Sequence, residues 1–135
     1  MTRLTEIEGI GEVYNGKLQA VGITTQAQLL ESGATPGARK TLAEKSGISD
    51  KLLLGWINRA DLARVKGIGE EYADLLELAG VDTVPELAQR NAANLHTRLK
   101  EVAEERGNVV RRVPSASEVE KWVAQAKTLP RAISY

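Results

Sequence analysis

The stretch EGIGEVY, residues 8–14, returns as KGIGEEY, residues 66–72, and the likeness runs far past the turn. Leu4, Ile7, Gly9, Ile10, Gly11, Glu12, Tyr14, Leu18, Gly22, Ile23, Thr25 and Leu29 are answered by Leu62, Val65, Gly67, Ile68, Gly69, Glu70, Tyr72, Leu76, Gly80, Val81, Thr83 and Leu87, at a constant offset of 58 (62 − 4). A match of that length is the signature of a supersecondary unit used twice. Beyond it the register slips: AEKSG at 43–47 answers AEERG at 103–107, and Ser49 and Trp56 answer Ser115 and Trp122 at an offset of 66 (122 − 56). The extra residues of the second copy fall at NVVRRVP, 108–114.

Each copy reads as helices joined by tight turns. Apolar residues recur at spacings of three and four, Phe is absent, and β-branched residues are scattered rather than alternating. The fold class is therefore all-α. In the second copy the pattern predicts a helix over 70–79, closed by Gly80 in the left-handed conformation that a helix C-terminus favours. Thr83 then caps the next helix in a capping box with Glu86, with Pro85 in its first turn, and the first copy repeats the plan with Gly22, Thr25 and Gln28. A further helix over about 49–65 leads directly into the second Gly-Ile-Gly, so the two repeats, 1–60 and 61–135, are expected to pack as one compact body.

In each turn two glycines allow the backbone to bend tightly with amides exposed, and a helix starts at the same place. Unpaired N–H groups and the positive end of a helix dipole then converge on one spot, which suits a phosphate. A β-branched side chain is a poor occupant of a tight turn at positive φ, so Gly69→Val is expected to disturb the second hairpin more than Lys66→Ala, the lysine being a solvated flank. The element L-x-x-h-x-G-I-G-x-x-x-x-x-x-L, with h aliphatic, resembles the helix-hairpin-helix motif at LTEIEGIGEVYNGKL and LARVKGIGEEYADLL. Nearly the whole chain, including GIGEVYNGKLQAVGITT and GIGEEYADLLELAGVDTVPELAQRN, is similar to a family of small paired helix-hairpin-helix proteins catalogued as a domain of unknown function. The resemblance implies sequence-independent contact with a nucleic-acid backbone through Gly9 and Gly11, and through Gly67, Ile68 and Gly69.

Charge divides that expectation. The residues after the second glycine are Glu12 in one copy and Glu70 and Glu71 in the other, and these carboxylates favour the helix dipole themselves while repelling a phosphate. Glu6 and Glu8 burden the first hairpin further, whereas Arg64 and Lys66 lead into the second and make it the better phosphate site. The one dense basic cluster lies at the insertion, where Arg106, Arg111 and Arg112 follow Arg98 and Lys100. It suits phosphate or carboxylate partners, unless it pairs with Glu101, Glu104 and Glu105. Residues 40–57 also carry helix-turn-helix spacing, with Lys51, Asn58 and Arg59 offered by the second helix. The second copy breaks that turn yet keeps Trp122, so the pattern is expected mainly to pack Trp56. Tyr14, Tyr72, Trp56 and Trp122 are expected to pack between helices.

Composition narrows the rest. Lys plus Arg equals Asp plus Glu at 18 each, so any charge-driven partner is met by a local patch. The chain has no cysteine, one histidine (His96), and no HExxH, GxSxG or GxxxxGK[ST] string. Metal hydrolysis, triad catalysis and a nucleotide-binding loop thus lack their parts, and no catalytic residue, metal, cofactor or small-molecule substrate is expected. The N-terminus has no apolar core of signal-peptide length and no run spans a bilayer, so a soluble, cytoplasmic protein is the expectation. The sequence reads as a non-enzymatic adaptor that binds a macromolecule. Nucleic acid is the partner by resemblance, and protein is the rival by charge, with the hairpins then serving as packing joints.

Overall fold

The computed structural model describes residues 3–107 and 110–134; Asn108 and Val109 of the insertion lie outside the described residues, as do Met1, Thr2 and Tyr135. After a 3-10 turn at Leu4–Glu6 come α1 (Glu12–Ala20), α2 (Gln26–Ser32), α3 (Pro36–Ser46), α4 (Asp50–Leu62), α5 (Glu70–Leu78), α6 (Val84–Ala88), α7 (Ala92–Arg106) and α8 (Ala116–Thr128). Among the described residues there is no strand beyond one isolated bridge between Arg3 and Thr25, so the fold is all-α.

The chain divides into two compact units, Met1–Asp61 with Arg131–Tyr135, and Leu62–Pro130. The division near residue 61 falls inside the last turn of α4. The C-terminal segment, assigned by the sequence to the second repeat, belongs instead with the first unit. There Ile133 is buried among the first unit's core residues, and the Ser134 amide donates to the Ala34 carbonyl at 2.8 Å.

The first unit closes over Leu4, Ile7, Ile10, Leu18, Ile23, Leu29, Leu53, Trp56 and Ile57. Side chains supply the starts of α2, α3 and α4. Thr25 and Gln28 form the expected capping box on α2, Thr35 caps α3 just before Pro36, and Ser49 Oγ accepts from the Leu52 amide at 3.2 Å to open α4. The end of α1 is set by Gly22 at φ +87°: the Gly22 and Ile23 amides donate back to Gln19 and Leu18, so the last carbonyls are satisfied and Ile23 folds onto Leu18.

The second unit repeats these devices in its own core of Leu62, Val65, Leu75, Leu76, Val81, Leu87, Leu95, Leu99, Val119 and Trp122. Gly80 has φ +92°, with the Gly80 and Val81 amides returning to Glu77 and Leu76. Asn91 caps α7, and Ser115 with Glu118 forms a capping box on α8. The expected Thr83–Glu86 box does not form, because Thr83 makes no side-chain cap bond. Glu86 is drawn instead to Arg90 at 3.5 Å and to Asp82, whose carboxyl is pushed above its ordinary value by burial first and by Glu86 second. The helix expected over about 49–65 stops at Leu62, where the Val65 amide turns back to the Leu62 carbonyl at 3.0 Å and the chain enters the second hairpin.

Candidate functional site

Both Gly-Ile-Gly hairpins are built from the same bonds. In the first, the Ile7 amide donates to Leu4 at 3.0 Å and Ile10 to Ile7 at 3.1 Å; in the second, Val65 donates to Leu62 at 3.0 Å and Ile68 to Val65 at 3.1 Å. Gly9 and Gly67 take φ of +93° and +96°, where L side chains are strained. They also back onto the tryptophans: a Cβ on Gly9 would lie 3.1 Å from Trp56 Nε1, and one on Gly67 3.0 Å from Trp122 Nε1. Ile10 and Ile68 are buried, each in its own core. Gly11 and Gly69 are extended N-caps at φ −89° and −95°, and nothing lies within 4 Å of a Cβ at either. The steric demand therefore falls on the first glycine of each hairpin, which corrects the expectation placed on Gly69. The tyrosines complete the joints, with Tyr14 on Trp56 at 5.1 Å between ring centroids and Tyr72 on Trp122 at 5.2 Å.

The basic residues named from sequence are mostly engaged. Arg64 Nη1 donates to the Pro130 carbonyl at 2.9 Å. Arg98 pairs with Glu101 at 3.2 Å and Glu105 at 3.7 Å. The insertion arginines turn from the α7 glutamates to others: Arg111 Nε meets Glu71 at 3.3 Å, and Arg112 grips Glu118 with two bonds of 2.7 and 3.0 Å. The Tyr72 hydroxyl donates to the Arg112 carbonyl at 3.1 Å, and His96 Nε2 lies 3.1 Å from the Pro114 carbonyl, which it reaches as a donor. Arg111 and Arg112 are thus brought together with the second hairpin, but by charge neutralisation of Arg111 against the hairpin's own Glu71. Arg106 and Lys100 stay exposed on α7. In the helix-turn-helix reading only Lys51 is exposed, since Asn58 and Arg59 are half-buried and partnered.

Glu118 anchors this arrangement and its carboxyl is lowered from 4.5 to about 2, first by the Arg112 side-chain bonds and then by the Ser115 amide. A carboxyl depressed in the folded state contributes stability that is present above 4.5 and lost as pH falls through 2. The insertion is therefore expected to hold at neutral pH and to loosen between those values. Carboxyl-resolved NMR should find Glu118 titrating far below an ordinary glutamate in wild type and returning towards it in Arg112→Ala; an ordinary midpoint in wild type would refute the anchor.

One basic feature escaped the sequence. Lys66 and Lys121 line an open groove of about 470 Å³ with Gly67, Trp122, Gln125 and Glu118, and neither lysine is ion-paired among the described residues. The Gln125 Oε1 accepts from the Lys66 amide at 2.7 Å and so fixes one wall. Lys121 lies on α8, far along the chain from Lys66, and the only linear signal for it is its place beside Trp122. No helix among the described residues is long and apolar enough to cross a membrane.

Residues 8–129 match the model of a family described as "Domain of unknown function (DUF4332)". No curated protein and no solved structure matches the chain.

Proposed function

The chain belongs to that family of unknown function, and we propose from its geometry that it is a non-enzymatic binding module whose partner is another protein and whose Gly-Ile-Gly hairpins are packing joints. The observation that carries this reading is the seating of Gly9 and Gly67 against Trp56 and Trp122, which ties both turns to their own cores. Charge supports it: Glu71 and Glu118 take up Arg111 and Arg112, the arginines that would otherwise meet a phosphate backbone, and Glu12 and Glu70 stand at the helix starts. No string for hydrolytic, triad or nucleotide chemistry is present in the sequence, and its one histidine is committed to the Pro114 carbonyl.

A second reading, backbone contact with nucleic acid at the second hairpin, is favoured by one observation, the unpaired Lys66 and Lys121 on the groove beside Gly67. The helix-hairpin-helix resemblance points the same way. Mobility shifts with short duplex and single-stranded DNA and RNA at two salt concentrations separate the readings. As a protein-binding module, the chain should bind no tighter than the non-specific range of roughly 10⁻⁴ to 10⁻⁶ M near physiological salt. Tight binding that falls steeply with salt and disappears in Lys66→Glu with Lys121→Glu would overturn the first reading and establish the second.

A further inference from the structure

The groove beside Gly67 is lined by side chains that donate hydrogen bonds, and its one carboxylate is already committed. Lys66 and Lys121 are exposed, and neither ammonium has an ion-pair partner among the described residues. Gln125 spends its Oε1 on the Lys66 amide at 2.7 Å, which leaves its Nε2 without an acceptor among the described residues. Glu118 is taken up by Arg112, at 2.7 and 3.0 Å, and by the Ser115 amide at 3.0 Å. The wall therefore has donors and positive charge to offer and no carboxylate left to balance them.

The indole adds a donor that folding does not use. Trp122 is 3% exposed yet lines the groove, and its Nε1–H has no hydrogen-bond acceptor among the described residues. A buried N–H without a partner is costly, and a buried tryptophan usually finds one. Gly67 stands over that nitrogen with no side chain, since a Cβ there would lie 3.0 Å from it, and Gly67 is itself part of the groove wall. The first unit repeats the indole and the glycine as Trp56 and Gly9 but not the charges. At the offsets of 58 and 66, Lys66, Lys121 and Gln125 are answered there by Glu8, Gly55 and Arg59, an acid and a base that each have a partner of their own. Two uncompensated ammoniums beside an open indole N–H thus belong to the second unit alone.

Resting on the reading of the chain as a protein-binding module, we propose that this groove takes a carboxylate side chain from an acidic segment of the partner protein. The Lys66 and Lys121 ammoniums balance its charge, while the Trp122 indole N–H and the Gln125 amide supply donors fixed by packing and by the Lys66 bond. An ionised carboxylate only accepts, through two oxygens with about four lone-pair sites, which matches a wall made of donors. A nucleic-acid strand is the poorer occupant. Its charge repeats along its length and has to pass Glu70, exposed at the start of α5 with no ion-pair partner among the described residues, whereas one side-chain carboxylate meets the lysines alone.

The test titrates the full chain with a fluorescein-labelled, end-blocked peptide of alternating glutamate and serine, read by anisotropy and by the indole N–H signals of the two tryptophans in NMR spectra. The acidic peptide should move the Trp122 indole signal and leave that of Trp56 in place, and the same peptide with glutamine for glutamate should bind about tenfold more weakly. Gln125→Glu keeps an oxygen for the Lys66 amide but puts negative charge where the donor was, so it should weaken the acidic peptide about tenfold without lowering the melting temperature. Lys66→Glu with Lys121→Glu should abolish that binding and favour the matching peptide of lysine and serine. No binding of the acidic peptide, equal binding of its glutamine form, or a Trp122 indole signal that stays in place when the peptide binds would each overturn the proposal. Inorganic phosphate displacing the peptide at a concentration no higher than the peptide's own would reveal a general anion site and overturn it as well. A tight, salt-sensitive mobility shift with nucleic acid overturns the protein-binding reading itself, whereas no such shift together with a silent peptide titration overturns only the assignment of this groove.

Discussion

Gly67→Val is expected to lower stability by about 3–5 kcal/mol, while Gly69→Val, two residues on, should cost about 1 kcal/mol or less. At Gly67 two penalties combine. Its φ of +96° is a conformation that costs an L residue on the order of 1–3 kcal/mol, most for a β-branched one. A Cβ there also stands 3.0 Å from Trp122 Nε1, so a buried ring must shift within a packed core, at about 1–3 kcal/mol. Gly69 has an ordinary extended backbone with open space around it, and valine loses only the modest preference of glycine at an N-cap. Gly9→Val should behave as Gly67→Val does, against Trp56. Denaturant melts followed by tryptophan fluorescence give the ranking, and equal midpoints for Gly67→Val and Gly69→Val would undo the joint interpretation of the hairpins.

That contrast marks the limit of what could be read from the chain. Periodicity and the repeat were enough for the helices: α1 and α5 share their bounds at an offset of 58, and α4 and α8 share theirs at 66. Local chemistry was enough for Gly22, Gly80, Thr25 and Gln28, because caps and left-handed termini depend on residues a few positions apart. The glycine that bears the strain could not be assigned in this way. Gly67 differs from Gly69 in its positive φ and in Trp122, a contact made only when α8 folds back. The capping box at Thr83 failed for a similar reason, since Glu86 had two competing neighbours, Arg90 and Asp82, that a motif does not weigh. The arginines of the insertion were visible as a cluster, yet the glutamates they meet are Glu71 and Glu118 rather than the neighbouring Glu101, Glu104 and Glu105 of α7. Charge patterning along a helix finds partners at three and four residues, and these pairs are made across elements.

The least legible element was the C-terminal segment, and it yields the second large effect: Arg39→Met is expected to destabilise the first unit by about 3 kcal/mol and to free residues 131–134. Arg39 is buried, with Nη1 donating to the Gly33 carbonyl at 2.9 Å and Nη2 to the Ser134 carbonyl at 2.8 Å. Each bond from a charged donor contributes about 1.5–3 kcal/mol, and methionine keeps the apolar stem while removing both. Gly33 makes the seat for that stem. A Cβ on it would overlap Ile57 Cδ1 while only touching Arg39 Cγ at 3.4 Å, so it is the packing of Ile57 beside the Arg39 stem that requires glycine at this position. The returning segment then adds the bond from the Ser134 amide to Ala34 and buries Ile133. Truncation after Pro130 should remove the Ser134 partner, so Arg39→Met in the truncated chain should cost about 1–2 kcal/mol less than in the full chain. Limited proteolysis should cut the segment faster in Arg39→Met at unchanged protease concentration. Strictly additive losses in that cycle would mean that Arg39 serves the Gly33 turn alone and that Ile133 holds the C-terminal segment without it.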